Sequence, residues 1–367
     1  MKRMIAFLLV VVLLLTLGAC SVQNQKLHIV NQNEDAAFSG VVLMTKDGQT
    51  VYEESAGFEK NNSQEPITVD TLFCMGSVSK QFAAGAILIL QQDGELSVDD
   101  PLTKYYPQYT IGKDLTIRHL LDMRSGIKEF YDIEYIDDAF TELPTGELRG
   151  KVTNRNTVEE NRQILEDWIL RQPLEFEPDT SFEYCNSNYF LLARIVEKVS
   201  GMSYSDYVRE RIFDPLGMTN SMFIDEVDFR NVPHLAAPTV HPHTVFVGIT
   251  MGLGDMISNA KDIDRWLSSL KTNQILTKES VEMMSTDYTS DVDDEDYGFG
   301  IRMFGNGLFH AGAITTYETM VYTDTETGVN VFAVTNDEPN VDVSTSDMVW
   351  GLVDSLESED SEEAADL

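Results

Sequence analysis

The stretch Gly76-Ser77-Val78-Ser79-Lys80 follows a short apolar run and opens a segment in which apolar residues recur at helical spacing. That spacing continues to Leu90, and Gly94 marks its end. In a helix, Ser77 and Lys80 lie one turn apart on the same face. A serine hydroxyl is a weak nucleophile until its proton leaves, and an unprotonated amine can take that proton. The stretch therefore predicts Ser77 as a nucleophile at the start of a long helix, with Lys80 as its base.

The Ser-x-x-Lys spacing alone is a weak signal, because it occurs four times in this chain. The pairs are Ser77/Lys80, Ser125/Lys128, Ser258/Lys261 and Ser268/Lys271. At least three of them are therefore accidental. Only Ser77 follows an apolar run and a glycine before a long amphipathic segment, where a helix N-terminus also favours a developing oxyanion. Ser125 lies in a predicted turn and Ser268 near an exposed helical end, so the context favours Ser77.

Tyr184-Cys185-Asn186 is the only Tyr-x-Asn in the chain. A phenol near a lysine can carry the serine proton to a leaving group. The amide of Asn186 can hold both the lysine and a substrate carbonyl. The alternative interpretation of Tyr184 alone is a half-buried core tyrosine.

His310-Ala311-Gly312 is the only His-x-Gly, and it ends a run of β-type residues. A strand here would lie along the site, where Gly312 would allow close approach of a substrate. A backbone N–H just beyond the glycine could complete an oxyanion hole with that of Ser77. Taken alone, His310 would equally suit a histidine at the surface end of a strand.

In this order and spacing, the three motifs resemble those of the serine β-lactamase and penicillin-binding-protein superfamily. The likeness is to the class C-like branch, which holds β-lactamases, small D,D-peptidases, D-aminopeptidases and related esterases. It covers about Phe38 to Leu356. Connecting stretches share it: Leu96-Ser97-Val98-Asp99-Asp100-Pro101, Thr116-Ile117-Arg118-His119-Leu120-Leu121, Asp214-Pro215-Leu216-Gly217-Met218 and Thr335-Asn336. The resemblance implies an α/β (α+β) fold of the β-lactamase/transpeptidase type, with an antiparallel sheet, flanking helices and an inserted helical lobe.

The resemblance also implies a role for each motif residue. Ser77 would be acylated, with Lys80 as activating base and Tyr184 as proton shuttle. A substrate would contact residues of the last two motifs and the position after them, namely Asn186, His310, Gly312 and Ala313. The backbone N–H groups of Ser77 and Ala313 would form the oxyanion hole. No cofactor is implied.

His310 departs from the pattern, because many members have a lysine there that holds a substrate carboxylate. Histidine is mostly neutral at pH 7, so carboxylate binding should be weaker. The departure favours peptides or amides of D-amino acids, related to the cell wall, or esters. A class C-like β-lactamase is one alternative. A sensor or adaptor that is acylated by penicillin without turnover is another.

The strand and helix pattern agrees with such a fold. Apolar, β-rich runs at 38–44 and 50–54 flank an Asp-Gly hairpin signal, and short β-rich runs return between 297 and 334. The middle of the chain is mainly helical in pattern, while 129–156 has little pattern. The sequence therefore predicts one sheet built from both ends of the chain, with helices between.

The first twenty residues have the pattern of a secretory signal: a positive start, an apolar run and small residues before Cys20. The ending Leu17-Gly18-Ala19-Cys20 resembles a bacterial lipobox, which implies a lipid on Cys20 and anchoring at the extracytoplasmic face of a membrane. An ordinary cleaved signal or a retained anchor are the alternatives. We expect a polar tether at 21–36, the hydrolase domain at 37–356 and an acidic tail at 357–367.

Composition excludes several classes of partner and site. A formal charge of -35 disfavours nucleic acid, and 43% hydrophobic and 10% aromatic residues indicate a globular chain. A small-molecule or peptide substrate is the expected partner. The histidines at 234, 241 and 243 lack a clear ligand set, so no metal is predicted. Cys74 and Cys185 could pair after export, but two buried thiols are the favoured interpretation.

Overall fold

The computed structural model describes residues 38–365, apart from 61–63, 137–138, 239–247, 294 and 338–343. The strands, in chain order, are β1 Gly40–Lys46, β2 Gln49–Ala56, β3 Phe73–Cys74, β4 Tyr131–Ile136, β5 Ala139–Pro144, β6 Met222–Phe223, β7 Met256–Ser258, β8 Arg302–Phe304, β9 Gly307–Ile314, β10 Tyr317–Asp324 and β11 Val329–Thr335. The α-helices are α1 Lys80–Gln92, α2 Ile117–Leu121, α3 Val158–Ile169, α4 Asn186–Ser200, α5 Tyr204–Val208, α6 Asp214–Leu216, α7 Ala260–Thr272, α8 Lys278–Met284 and α9 Thr345–Ala365.

The main sheet is antiparallel, with the strand order β2-β1-β11-β10-β9-β8. The first strand pairs with the last, Val42 opposite Ala333, so both ends of the described chain build one sheet. Asp47 and Gly48 both have positive φ in the β1–β2 turn, as the Asp-Gly signal predicts. The prediction of one antiparallel sheet built from both termini, with helices between, is confirmed.

Helices cover both faces of this sheet. Neighbouring residues of a strand point to opposite faces, and Phe309 and Tyr322 are cross-strand partners on one of them. There they pack against Trp350 of α9. Asn330 points to the other face and hydrogen-bonds Asp264 of α7.

Helix α1 lies in the centre of the core. Every residue from Lys80 to Leu90 is buried, so the helix is enclosed on all sides rather than on one face. Gly94 follows it with φ of 77° and ends it, as predicted. Phe82 packs on Trp266 of α7, with ring centroids 4.7 Å apart.

Several elements differ from the sequence prediction. The stretch 129–156, in which the sequence shows little pattern, contains the β4–β5 hairpin. The first of the β-rich runs after 297 forms a strand at Arg302–Phe304, and Tyr297 makes an isolated bridge to Arg302. Helix α9 continues to Ala365, into the stretch expected as an acidic tail from 357, in keeping with the good helix propensity of glutamate.

Cys74 and Cys185 are free and buried, which confirms the favoured interpretation of two thiols. Burial raises the pKa of both, so neither is a reactive thiolate. The predicted signal, Cys20 and the tether lie outside the described residues. Within the described part of the chain, no helix combines the length and apolarity needed to span a bilayer.

Replacing Trp266 with alanine tests the central packing. Trp266 is fully buried and donates a 2.8 Å hydrogen bond to Gln81 Oε1, so the change leaves a cavity and an unpaired amide. We expect the free energy of unfolding to fall by about 3–5 kcal/mol. Urea unfolding followed by circular dichroism measures this. Ile111→Ala, at a residue 47% exposed, is the control and should change stability by less than about 0.5 kcal/mol.

Candidate active site

Ser77 is the one residue between Thr71 and Leu90 that is not buried. It lies in a short 3-10 turn, Gly76–Ser79, that leads directly into α1. Met75 is fixed to β7 by a hydrogen bond from its N–H to the Met256 carbonyl. The hydroxyl is therefore presented at an opening in an otherwise closed part of the core.

Strand β9 passes so close to this turn that two glycines are required. A Cβ on Gly312 would lie 2.2 Å from the Met75 carbonyl oxygen and 2.9 Å from the Ser77 nitrogen. A Cβ on Gly76, which has φ of 51°, would lie 2.7 Å from the Ala313 nitrogen. The backbone nitrogens of Ser77 and Ala313 thus lie on two adjoining segments, as the predicted oxyanion hole needs.

Lys80 connects Ser77 to two distant segments. Its Nζ is 3.0 Å from Ser77 Oγ, 2.8 Å from Asn186 Oδ1 and 3.0 Å from the Leu253 carbonyl oxygen. The side chain is completely buried. Three acceptors match the three donors of an ammonium, and in the amine form a lone pair would be available to the serine.

The other three Ser-x-x-Lys pairs have no such arrangement. Ser125 donates to Asn188, and Ser258 shares a hydrogen bond with Ser221. Lys261 and Lys271 form ion pairs with Asp70 and Asp47 near the surface. Among the four Ser-x-x-Lys pairs, only Ser77 and Lys80 are hydrogen-bonded to each other in these contacts, in agreement with the choice made from sequence context.

Tyr184 and Asn186 also lie beside Lys80. Asn186 begins α4 and is buried, which fixes its amide towards the lysine. Tyr184 is half-buried, and its ring centroid is 4.8 Å from Lys80 Nζ. The ring centroids of Tyr184 and His310 are 6.3 Å apart. The structure thus brings all three predicted motifs around one opening.

His310 is only 3% exposed, and both of its ring nitrogens have partners. Nδ1 lies 2.5 Å from the Ala311 carbonyl oxygen, which can only accept, so this nitrogen carries a hydrogen. Nε2 lies 3.4 Å from the Tyr297 hydroxyl. Burial, with Lys80 as the next cause, lowers the pKa of His310 to about 3. The imidazole is neutral, as expected, and forms part of the wall behind the opening.

Two contributors to the site were not found from the sequence. The Leu253 carbonyl belongs to a turn between Gly252 and Gly254. Tyr297 is fully buried and packs edge-on against Tyr184. Neither has a local signal, since one acts through its backbone and the other is a tyrosine in a loop.

Of the three histidines considered as metal ligands, at 234, 241 and 243, the structure describes only His234. Positions 241 and 243 lie outside the described residues. The Nδ1 atom of His234 is 3.3 Å from Glu59 Oε1, and Glu65 completes a group whose ligand atoms lie within 4.8 Å of one another. Thr71 also donates to Glu59. The prediction of no metal remains a prediction.

Comparison with known proteins identifies the class to which this fold and site belong. The sequence matches the family described as Beta-lactamase over residues 27–353, and the chain belongs to that family. Penicillin-binding protein 4* of Bacillus subtilis is 27% identical over 328 residues, covering 82% of this chain and 69% of that protein. A D-aminopeptidase of Brucella anthropi is 29% identical over 190 residues, covering 51% of this chain and 33% of the enzyme.

A solved structure has the same fold. The octameric penicillin-binding protein homologue from Pyrococcus abyssi superposes with a TM-score of 0.69 at 26% identity, covering 86% of this chain and 73% of that one. The superfamily predicted from the three motifs is confirmed, and the protein is a serine hydrolase of the β-lactamase-related type.

Gly312→Ala tests the close approach of β9 to the nucleophile. Because the new methyl would meet the backbone of Met75 and Ser77, the strand must move away and the two N–H groups must separate. We expect kcat/KM for an activated ester to fall by about 10²-fold or more, the range for losing an oxyanion donor. Gly351→Ala, where a Cβ meets nothing within 4 Å, is the control and should keep full activity. Unchanged activity in Gly312→Ala would contradict the assignment of this cradle.

Proposed function

We propose that this protein is an extracytoplasmic hydrolase that forms an acyl-enzyme on Ser77 from D-amino-acid peptides, amides or esters. One observation carries the proposal: the Lys80 amine lies within hydrogen-bonding distance of Ser77 Oγ, beside two backbone N–H groups suited to an oxyanion. The relatives support the substrate class, since one is named as a D-aminopeptidase and another as a penicillin-binding protein.

The reaction follows from the positions of these groups. Lys80, as the amine, takes the Ser77 proton while Oγ bonds to the substrate carbonyl carbon, and the oxyanion is held by the N–H groups of Ser77 and Ala313. The C–N or C–O bond then breaks, and the leaving group receives a proton through Tyr184. Water attacks the acyl-enzyme by the same route in reverse, releasing the acid and restoring Ser77.

The position of Asn186 supports binding of the acyl side of a substrate. Its Oδ1 is occupied by Lys80, which leaves its amide N–H₂ as a donor for a substrate carbonyl. One side chain would thus orient both the base and the acyl group. The same arrangement would serve a β-lactam, so acylation by penicillin is compatible with the site.

Ser77→Ala should abolish hydrolysis of D-alanyl p-nitroanilide and of p-nitrophenyl acetate, with kcat/KM falling by about 10⁴-fold or more. The matched control is Ser268→Ala, a member of an accidental Ser-x-x-Lys pair, which should retain activity. Release of p-nitrophenol or p-nitroaniline is measured, and mass spectrometry should find the trapped acyl group on Ser77. Full turnover in Ser77→Ala would end the proposal.

A fluorescent penicillin distinguishes the two alternatives. Rapid release of a hydrolysed β-lactam, lost in Ser77→Ala, would support a β-lactamase. Stable labelling of Ser77 with no turnover of any ester or D-aminoacyl compound would support a sensor. Slow labelling together with turnover of D-aminoacyl compounds is what the proposal expects.

We also propose that Cys20 is lipidated and anchors the enzyme at the outer face of a membrane. Support comes from the signal pattern before it and from the acidic charge, which disfavours electrostatic contact with anionic lipids. In a bacterial host fed radiolabelled palmitate, the wild-type chain should incorporate label and sediment with membranes. Cys20→Ser should lose both, while Cys74→Ser should lose neither. Equal labelling of the two variants would contradict the anchor.

A further inference from the structure

Glu59, three residues beyond β2, carries a carboxylate that is enclosed by protein and takes no part in the contacts of the active site. The residue is only 5% exposed. The buried Thr71 hydroxyl donates a 3.3 Å hydrogen bond to Glu59 Oε1, and the Thr68 N–H donates to the Thr71 oxygen. The hydroxyl hydrogen is therefore turned towards the carboxylate. Because a buried charge is costly unless other groups compensate it, Glu59 needs more than this one donor.

The imidazole of His234 lies against the same carboxylate oxygen. Its Nδ1 is 3.3 Å from Glu59 Oε1, and His234 is the ion-pair partner that the described chain gives to Glu59. His234 has φ of 58°, a left-handed conformation that is uncommon for a residue with a side chain. The His234 carbonyl accepts a hydrogen bond from the Leu72 N–H, and the Ala236 N–H donates to the Leu72 carbonyl. Backbone conformations of this kind persist where the surrounding structure imposes them, often at sites that bind a ligand.

Glu65 brings a second carboxylate to this pair. The Glu59 N–H donates a 3.0 Å hydrogen bond to the Glu65 carbonyl oxygen, which closes the turn between the two residues. One oxygen of each carboxylate and a ring nitrogen of His234 all lie within 4.8 Å of one another. Both contacts of the Glu59 side chain fall on Oε1, and its Oε2 has no hydrogen bond from the described residues. Even with the imidazole protonated, the three side chains together carry a net negative charge, which a bound cation would neutralise.

The ligand types and distances fit a zinc ion. Zinc binds nitrogen and oxygen at about 2.0–2.2 Å in a tetrahedron, so neighbouring ligand atoms are about 3.3–3.6 Å apart. Nδ1 of His234 and Oε1 of Glu59 already have this separation. Glu65 is exposed, so its side chain can close the remaining gap by rotating. One imidazole with two carboxylates suits zinc, whereas calcium and magnesium prefer oxygen alone, and Thr71 supplies the outer hydrogen bond typical of a ligating carboxylate.

We propose that Glu59, Glu65 and His234 form a zinc site, with water as the fourth ligand, that ties the turn after β2 to the segment 234–237. The inference goes beyond the proposed function and does not depend on it. It runs counter to the expectation of no metal drawn from the sequence. Glu59 and His234 are 175 positions apart in the chain, so their ligand set becomes visible only in the folded protein.

Zinc at this position stabilises the chain that leads to the nucleophile. Leu72, which pairs with the segment 234–237, continues through β3 into the turn that carries Ser77. The Ala237 N–H donates to the Glu59 carbonyl, and the Ala237 carbonyl accepts from Asn336 just after β11. The three ligands therefore join segments that also meet through their backbones, and the role of the ion is structural.

Zinc binding by the whole protein is the direct test. The chain is purified without a histidine tag, freed of metal with EDTA, and titrated with zinc chloride in a calorimeter at pH 7.5. We expect saturable binding of one equivalent. At a hundredfold excess of zinc over Kd, Tm should rise by about 3 °C or more. An absence of binding, or a Tm that zinc leaves unchanged, would overturn the proposal.

Variants of the ligands locate the ion. His234→Ala and Glu65→Gln alter exposed side chains, so both proteins should fold. Each should weaken zinc binding by at least the tenfold that loss of an outer hydrogen bond already costs. Glu279→Gln, at an exposed glutamate of α8, is the matched control and should bind zinc like the wild type. If both ligand variants bind zinc as tightly as this control, the ion lies elsewhere in the chain and the proposal is wrong.

Discussion

The site depends on a lysine that is completely enclosed by protein. Removing an amine from water is costly unless its hydrogen bonds are replaced, and Lys80 has three oxygens to replace them. One oxygen is the Ser77 hydroxyl, in the turn that leads into α1. The second is Asn186 Oδ1 at the start of α4, and the third is the Leu253 carbonyl in the turn before β7. A single buried polar atom therefore fixes three regions of the chain relative to one another. Loss of any of the three contacts would leave the amine partly unpaired inside an apolar core.

The same constraint explains the surroundings of the lysine. The ring centroids of Tyr184 and Tyr189 lie 4.8 Å and 5.8 Å from Nζ, so two aromatic rings line the space around the lysine. The pKa of the nearby His310 imidazole is lowered first by burial and then by the proximity of Lys80, so the ring is neutral. Aromatic and amide groups thus surround the lysine, and the Glu129 carboxylate accepts a hydrogen bond from the Asn186 backbone N–H next to them.

The sequence predicts the parts of this site that have side-chain signatures. Ser77, Lys80, Tyr184, Asn186 and His310 were all identified from motifs, and the sheet built from both termini followed from the placement of β-rich runs. The Leu253 carbonyl could not be found, because a backbone acceptor has no residue type. Tyr297 could not be found either, since its importance comes only from folding against His310. The β4–β5 hairpin was missed although β4 alternates apolar and acidic residues from Tyr131 to Tyr135, because its partner strand β5 shows no such alternation.

The pairing of β1 with β11 has a consequence for how the chain becomes active. The nucleophile is Ser77, but the second N–H of the oxyanion hole belongs to Ala313. Strand β11, which pairs with both β10 and β1, ends at Thr335. A nascent chain lacking its last third would have Ser77 and Lys80 but no second oxyanion donor, and β1 would present a bare edge. Contacts this distant in sequence carry a large loop-closure entropy cost and slow folding. Synthesis and folding must therefore be nearly complete before any hydrolysis begins, which guards against premature activity in an unfinished chain.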